Sequence, residues 1–297
     1  MRFQVLLICL YFVVIVPVCT FAQVDTLRFR EVKFEEIHKK YAPYFLPYKD
    51  SDYIKLPKTY LDLGYLQVFK GNDSVGNYLM QFAMDHYLEK NAELFHMISV
   101  QNTKNGNYSI AISNLDSAAY YNKKSYGYYG WVMLYYYRDY NRAISYLNIY
   151  DSLTPYFSDY PMGESLDYLK GLAYLNLNSY HEAINYFNKY IKEVSTKNDE
   201  KWVDYSAYYY KGICYEKLLD KKSALKNYKL AIKHNSKFVE ALFHKNLHEK
   251  NEKKRKRNFL KVIKLIEQGY AKSDVYMEIF YPVYIQEVTR EMNKLMN

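Results

Sequence analysis

A short pattern returns three times along this chain at nearly constant distance, and that recurrence restricts the fold more than any other feature. Gly130-Trp131-Val132-Met133, Gly171-Leu172-Ala173-Tyr174 and Gly212-Ile213-Cys214-Tyr215 align, with their glycines 41 and 41 residues apart. Behind each comes a second pattern: Tyr140-x-x-Ala143-Ile144-x-x-Leu147, Tyr180-x-x-Ala183-Ile184-x-x-Phe187 and Lys221-x-x-Ala224-Leu225-x-x-Tyr228, with alanines 40 and 41 apart. A weaker, earlier copy reads Tyr108-x-x-Ala111-Ile112-x-x-Leu115. Steps of three and four put Ala143, Ile144 and Leu147 on one helix face. Each unit therefore reads as two antiparallel helices. The glycine on the first admits a close neighbour, the alanine on the second sits under the crossing, and the large side chain four residues on fills the groove. One such pair cannot bury its own stripe, so units stack into a superhelix with a concave and a convex side. Proline does not interfere, being absent between Pro57 and Pro155 and again between Pro161 and Pro282. Only 10 Gly and 7 Pro in 297 residues also argue against a β protein built on tight turns.

The residues at these positions resemble the tetratricopeptide repeat family. The third copy matches with Tyr208, Gly212, Tyr215, Ala224, Tyr228 and Ala231. The second has Gly171, Tyr174, Ala183 and Phe187, but Asp167 and Tyr190 stand where the family has an aromatic and a second Ala. The first has Tyr126, Gly130, Ala143 and a closing Pro155, with Met133 for Tyr and one extra residue in its turn; the earliest, around Ala111, has Ser99 in place of the glycine. The family repeat is about 34 residues, so the longer spacing requires insertions. Leu153 to Pro161 and Ser195 to Glu200 read as those insertions. The resemblance covers roughly residues 90–240. It implies an all-α, TPR-like α-solenoid of stacked antiparallel helix pairs with C-terminal capping helices, whose first helices line a concave groove that receives a partner peptide.

Around this core the sequence divides further. Residues 23–74, with Pro43, Pro47 and Pro57, read as an extended or partly ordered lead-in. Residues 75–122 read as helical and carry the degenerate first repeat, Val75 to Ser99 being one helical stretch with Leu79, Phe82, Ala83, His86 and Tyr87 on one side. Residues 123–236 hold the three clear repeats. Residues 237–297 form a basic helical cap, read as helices over Lys237–Lys250, Asn258–Gly269 and Asp274–Leu295.

Residues 1–22 read as a secretory signal peptide. Met1-Arg2 precedes an uncharged apolar run from Val5 to Val18, and Thr20-Phe21-Ala22 offers a cleavage site before Gln23. The run is short of the ~20 apolar residues of a spanning helix, although retention as an anchor stays open. Ile8 and Val18 precede Cys9 and Cys19, a poor match to a lipidation site. The expectation is export to the periplasm or the outside of the cell. The mature chain then has one cysteine, Cys214, which cannot form an internal disulfide and reads as a small core residue. Residues 221–297 carry 18 Lys/Arg against 8 Asp/Glu, peaking at Lys253-Lys254-Arg255-Lys256-Arg257. That run suits either a solvated helix junction or contact with an anionic surface; export speaks against nucleic acid.

Catalytic motifs were sought and not found: there is no phosphate-cradling glycine loop, no Gly-x-Ser-x-Gly elbow and no His-Glu-x-x-His. His244 and His248 stand four apart on a helix, a spacing that can clasp a metal, but no third ligand is apparent, so neither a metal nor another cofactor is expected. The chain reads as a non-catalytic scaffold binding another protein or peptide segment through its concave face. Tyr135, Asn176 and Lys217 follow the three glycines by five residues, and Tyr168 and Tyr209 precede theirs by three, so all five should face the groove. With 38 Tyr against 15 Phe, large rings with one hydrogen bond each suit partner recognition, or else simply pack unit on unit. Alternatives are an exported immunity-type protein that blocks a toxin, a small-ligand or glycan receptor using those rings, or an enzyme whose site is scattered over distant loops.

Overall fold

A computed structural model describes residues 56–86, 91–157, 159–271 and 279–295. The expected signal peptide and the lead-in as far as residue 55 lie outside the described residues. Among them there are thirteen α-helices and no strand. They fall into two units, which are described separately: residues 1–90 with 100–107, and residues 91–99 with 108–297.

In the first unit α1 (Leu56–Phe69) and α2 (Asp73–His86) form a hairpin. The expectation of an extended or partly ordered lead-in over residues 23–74 is corrected from Leu56 onward: Pro57 sits in the first turn of α1, where its missing N–H has no intrahelical partner to lose. Gly71, at φ +80°, closes the turn, with the Asn72 N–H donating to the Gln67 carbonyl at 2.8 Å. The two helices meet so closely that a Cβ on Gly76 would lie 2.6 Å from the Gly64 carbonyl oxygen. Asn105, at the end of α3 (Ala92–Lys104), donates to the Val68 carbonyl and to Asp73, both at 2.8 Å. The single helix expected over Val75 to Ser99 is instead α2 and the start of α3.

The second unit contains the repeats. After α4 (Tyr108–Tyr121) come three helix pairs: α5 (Tyr126–Tyr135) with α6 (Tyr140–Asp151), α7 (Leu166–Asn176) with α8 (Tyr180–Lys197), and α9 (Tyr205–Lys217) with α10 (Lys221–His234). Each first helix also touches the next first helix, α5 with α7 and α7 with α9, so the copies occupy equivalent places in successive layers. The crossing inside every pair is the one the sequence implied. A Cβ added to Gly130 would lie 2.8 Å from Leu147, on Gly171 2.8 Å from Phe187, and on Gly212 2.5 Å from Tyr228. Ala143, Ala183 and Ala224 are buried beneath the same contacts.

The hairpin turns repeat as well. Arg138, Asn178 and Leu219 are left-handed, with φ of 54°, 61° and 63°. The turns close through N–H bonds from Asp139 to the Met133 carbonyl, from Ser179 to Tyr174 and from Asp220 to Tyr215. The first spans one residue more than the others, which is the extra turn residue seen in the sequence. Asp139 and Asp220 then cap the second helices through the N–H groups of Arg142 and Ser223, each at 3.0 Å. Leu153 to Pro161 lies in the loop between α6 and α7, whereas Ser195 to Lys197 is not loop but the last turn of α8.

The C-terminal cap consists of α11 (Val239–Leu247), α12 (Glu252–Glu267) and α13 (Ile285–Asn293), sharing a core of Val239, Phe243, Phe259, Val262, Leu265, Val283 and Val288. Two helix assignments are corrected here. The helix expected from Asn258 begins at Glu252, because Asn251 caps it by accepting from the Lys254 N–H at 2.9 Å. Of the helix expected over Asp274–Leu295, residues 274–278 lie outside the described residues, and α13 begins at Ile285, after Pro282, which can neither donate within a helix nor leave room for the preceding turn. Residues 279–284 are non-helical.

Gly212→Ala tests the crossing. Its methyl would meet a fully buried Tyr228 ring, so a loss of about 1–3 kcal/mol on urea unfolding is expected, outweighing the better helix propensity of alanine.

Candidate peptide groove

The five residues expected on the inner face fare differently. Tyr135 is buried at the end of α5, and its hydroxyl donates to Glu164 Oε1 at 2.9 Å. Trp131, one turn earlier, donates its Nε1–H to the other oxygen of Glu164 at 2.7 Å. Burial first, and then the Glu164 carboxylate, push the Tyr135 phenol well above its ordinary pKa, so it remains a donor. Tyr209, 1% exposed on α9, donates its hydroxyl to the Tyr281 carbonyl at 2.8 Å, and burial likewise raises its pKa. Its neighbour Tyr210 reaches the Phe280 carbonyl at 3.4 Å.

Tyr135 and Tyr209 thus meet one non-helical stretch, the chain's own residues 279–284, Tyr135 through the Phe280 ring and Tyr209 through a main-chain carbonyl. The Phe280 ring lies 5.5 Å from the Tyr135 ring and 6.3 Å from that of Tyr140, with the Arg138 guanidinium 4.1 Å above it. Val283, three residues on, is buried in the core of the cap.

Tyr168 departs from expectation. It was placed on the groove surface, but it is fully enclosed between α7 and α9. Ser206 Oγ donates to Asp204 at 2.6 Å, so the 2.6 Å bond between Tyr168 and Ser206 runs from the phenol to the serine. Its ring packs against Phe187, Tyr190 and Tyr210, so it joins layers and offers no surface to a ligand. Asn176 donates to the Leu172 carbonyl of its own helix at 2.8 Å, and Lys217 is exposed. Neither has a described contact with residues 279–284.

Arg138, Tyr210, Trp131 and Glu164 belong to the site and were not singled out from sequence. Arg138 and Glu164 lie in turns whose reach depends on how layers stack. The run Phe280-Tyr281-Pro282-Val283 carried a signal in its proline.

The remaining candidates are placed as follows. Lys253, Lys254, Lys256 and Arg257 are exposed and Arg255 is half-buried, all in the first two turns of α12, the helix end at which cations are least favoured. Lys254 relieves part of this by pairing with Glu249 at 2.6 Å. His244 and His248 do not form a surface pair. Both turn to Glu216 on α9, at 3.2 and 4.0 Å, and Tyr228 donates to the same carboxylate. Burial by itself would raise Glu216, but the hydrogen bonds from His244 and Tyr228 outweigh it and hold the carboxyl below its ordinary range. Cys214 is buried as expected, and burial pushes its thiol up to about 12.

No protein-family model matches the chain, and no curated protein sequence matches it. Solved structures do match in fold. The C-terminal part of a TPR repeat-containing protein from Cytophaga hutchinsonii superposes with a TM-score of 0.55 at 16% identity, covering 77% of this chain and 88% of that one. Pseudomonas aeruginosa PilF superposes at 0.52 with 16% identity, covering 79% and 97%. The chain has the tetratricopeptide-repeat fold: an all-α solenoid of stacked helix pairs.

Two substitutions separate the roles within the site. Tyr168→Ala is expected to lose about 3–5 kcal/mol on chemical unfolding, as a buried ring does. Glu216→Gln is expected to be less stable than the parent at pH 7. The gap should close as pH falls through the depressed carboxylate pKa, because a lowered folded pKa gives stability above the unfolded value that is lost on protonation. Parallel urea titrations at pH 7 and pH 3.5 check the sign.

Proposed function

We propose that this protein is a non-catalytic scaffold that is exported from the cytoplasm and binds a segment of another protein along the inner face of its repeats. One observation carries the reading: phenol hydroxyls of Tyr209 and Tyr210 engage main-chain carbonyls of a non-helical segment, while Tyr135 and Arg138 hold its aromatic side chain. Carbonyl recognition is independent of the ligand's side chains, and the ring pocket adds selectivity, which is the division of labour of a peptide groove. The fold supports it, since stacked helix pairs expose long surfaces without assembling reactive groups. Export rests on the leader-like residues 1–22.

The test is a photo-crosslinking amino acid placed in turn at Asn176, Lys217 and, on a second helix, Lys229. Crosslinks to a discrete protein from Asn176 or Lys217, but not from Lys229, are expected in cells of the native host. Equal labelling at all three sites would count against a groove. Mass spectrometry of the same chain from the envelope or medium should give an N-terminus at Gln23; a chain retained in the cytoplasm with Met1 would overturn export.

A further inference from the structure

We propose that residues Ile279–Tyr284 are a built-in ligand that closes the groove, and that the partner held off is a segment carrying an aromatic residue two places before a proline. The proposal rests on the groove reading above and names the chemistry of its ligand.

A connection between helices ordinarily runs over the surface with its side chains in water. This one does the opposite. Phe280 is 5% exposed and Val283 3% exposed, and the Tyr209 contact spans 72 residues of sequence. Each feature of Phe280-Tyr281-Pro282-Val283 answers something in the site. The Phe280 ring fills the space between Arg138, Tyr135 and Tyr140. The carbonyls of Phe280 and Tyr281 receive the two phenols. Pro282 has no N–H to satisfy on an inner face otherwise supplied with donors.

The segment is also held under strain. Tyr281 has φ +50°, a left-handed conformation that costs a bulky residue something on the order of 1–2 kcal/mol. A separate peptide is not held in that conformation by a connection to α13. The repeats themselves do not need the strap for their crossings, which are made by Gly130, Gly171 and Gly212 against their own second helices. The strap therefore competes with an outside ligand of the same chemistry, at the high effective concentration of a tethered segment.

The experiment uses the full mature chain with Trp202→Phe. This leaves Trp131, 5.1 Å from the Tyr135 ring that touches Phe280, as the one reporter of the groove among the 2 tryptophans. The probe is a fluorescein-labelled peptide with the sequence of residues 279–284, followed by polarisation and, unlabelled, by Trp131 emission. Phe280→Ala should bind it at least tenfold more tightly than the parent, and a probe whose own Phe is replaced by Ala should bind neither. Pro282→Gly, which removes no ring and frees the strap when released, should move affinity the same way by about two- to fivefold.

Equal affinity for the parent and both variants would overturn the strap. So would no binding to either variant when its helicity and melting match the parent. If the emptied groove still crosslinks to a partner through Asn176 yet ignores the probe, the groove reading stands and the strap falls. If the variants bind the probe as expected while no partner is ever crosslinked, the strap stands and the scaffold reading falls.

Discussion

Each repeat is held by one contact: a glycine on the first helix against a large side chain on the second. A glycine inside a helix costs roughly 1 kcal/mol relative to alanine, so three of them in one set of helices would be a poor choice without compensation. The compensation is the depth to which Leu147, Phe187 and Tyr228 enter the neighbouring helix, leaving them fully buried and no room for a Cβ opposite. Burying a side chain of that size is worth about 1.5–3 kcal/mol, enough to reverse the sign. The spacing of the helices in a pair follows from this contact, and with it the placement of the first helices that line the groove.

The tyrosines then act as mortar. Tyr129 donates to Asp116, Tyr168 to Ser206 and Tyr228 to Glu216, each linking one element to another through an otherwise apolar interior. A phenylalanine at 168 would bury similar area but leave the buried Ser206 without its phenol partner, which is expensive away from water. Their raised pKa values follow from the same burial and keep the phenols as donors. Tyr209 differs from these three only in what stands opposite: a carbonyl of a non-helical segment instead of a side chain of the next helix. At residues 280 and 281 the tyrosine packing thus meets a segment of the chain itself, which in the proposal above is the strap that closes the groove.

Local periodicity carries information about which faces meet, and here it carried much. The glycine–ring spacing, the alanine under it, the longer first turn and the buried Cys214 all follow from residues within about one repeat of each other, where helical geometry fixes direction. Where local rules compete, the reading failed. Pro57 looked like a breaker but opens a helix, and Pro282 was passed over although α13 begins only after it. Asn251, a cap, lies seven residues before the expected helix start at Asn258.

The groove divides along the same line. Offsets from Gly130 and Gly212 put Tyr135 and Tyr209 on the face that meets residues 280 and 281. Tyr168 has the same offset as Tyr209, yet it is enclosed because Ser206 of the next helix pair and Tyr190 of its own second helix reach it. The strap was beyond any local rule: residues 280 and 281 meet side chains 70 or more positions away, and only stacking of the layers brings them there. Periodicity determines which way a side chain points; what stands in front of it is decided by tertiary packing, because contacts between distant segments leave no fixed spacing in the chain.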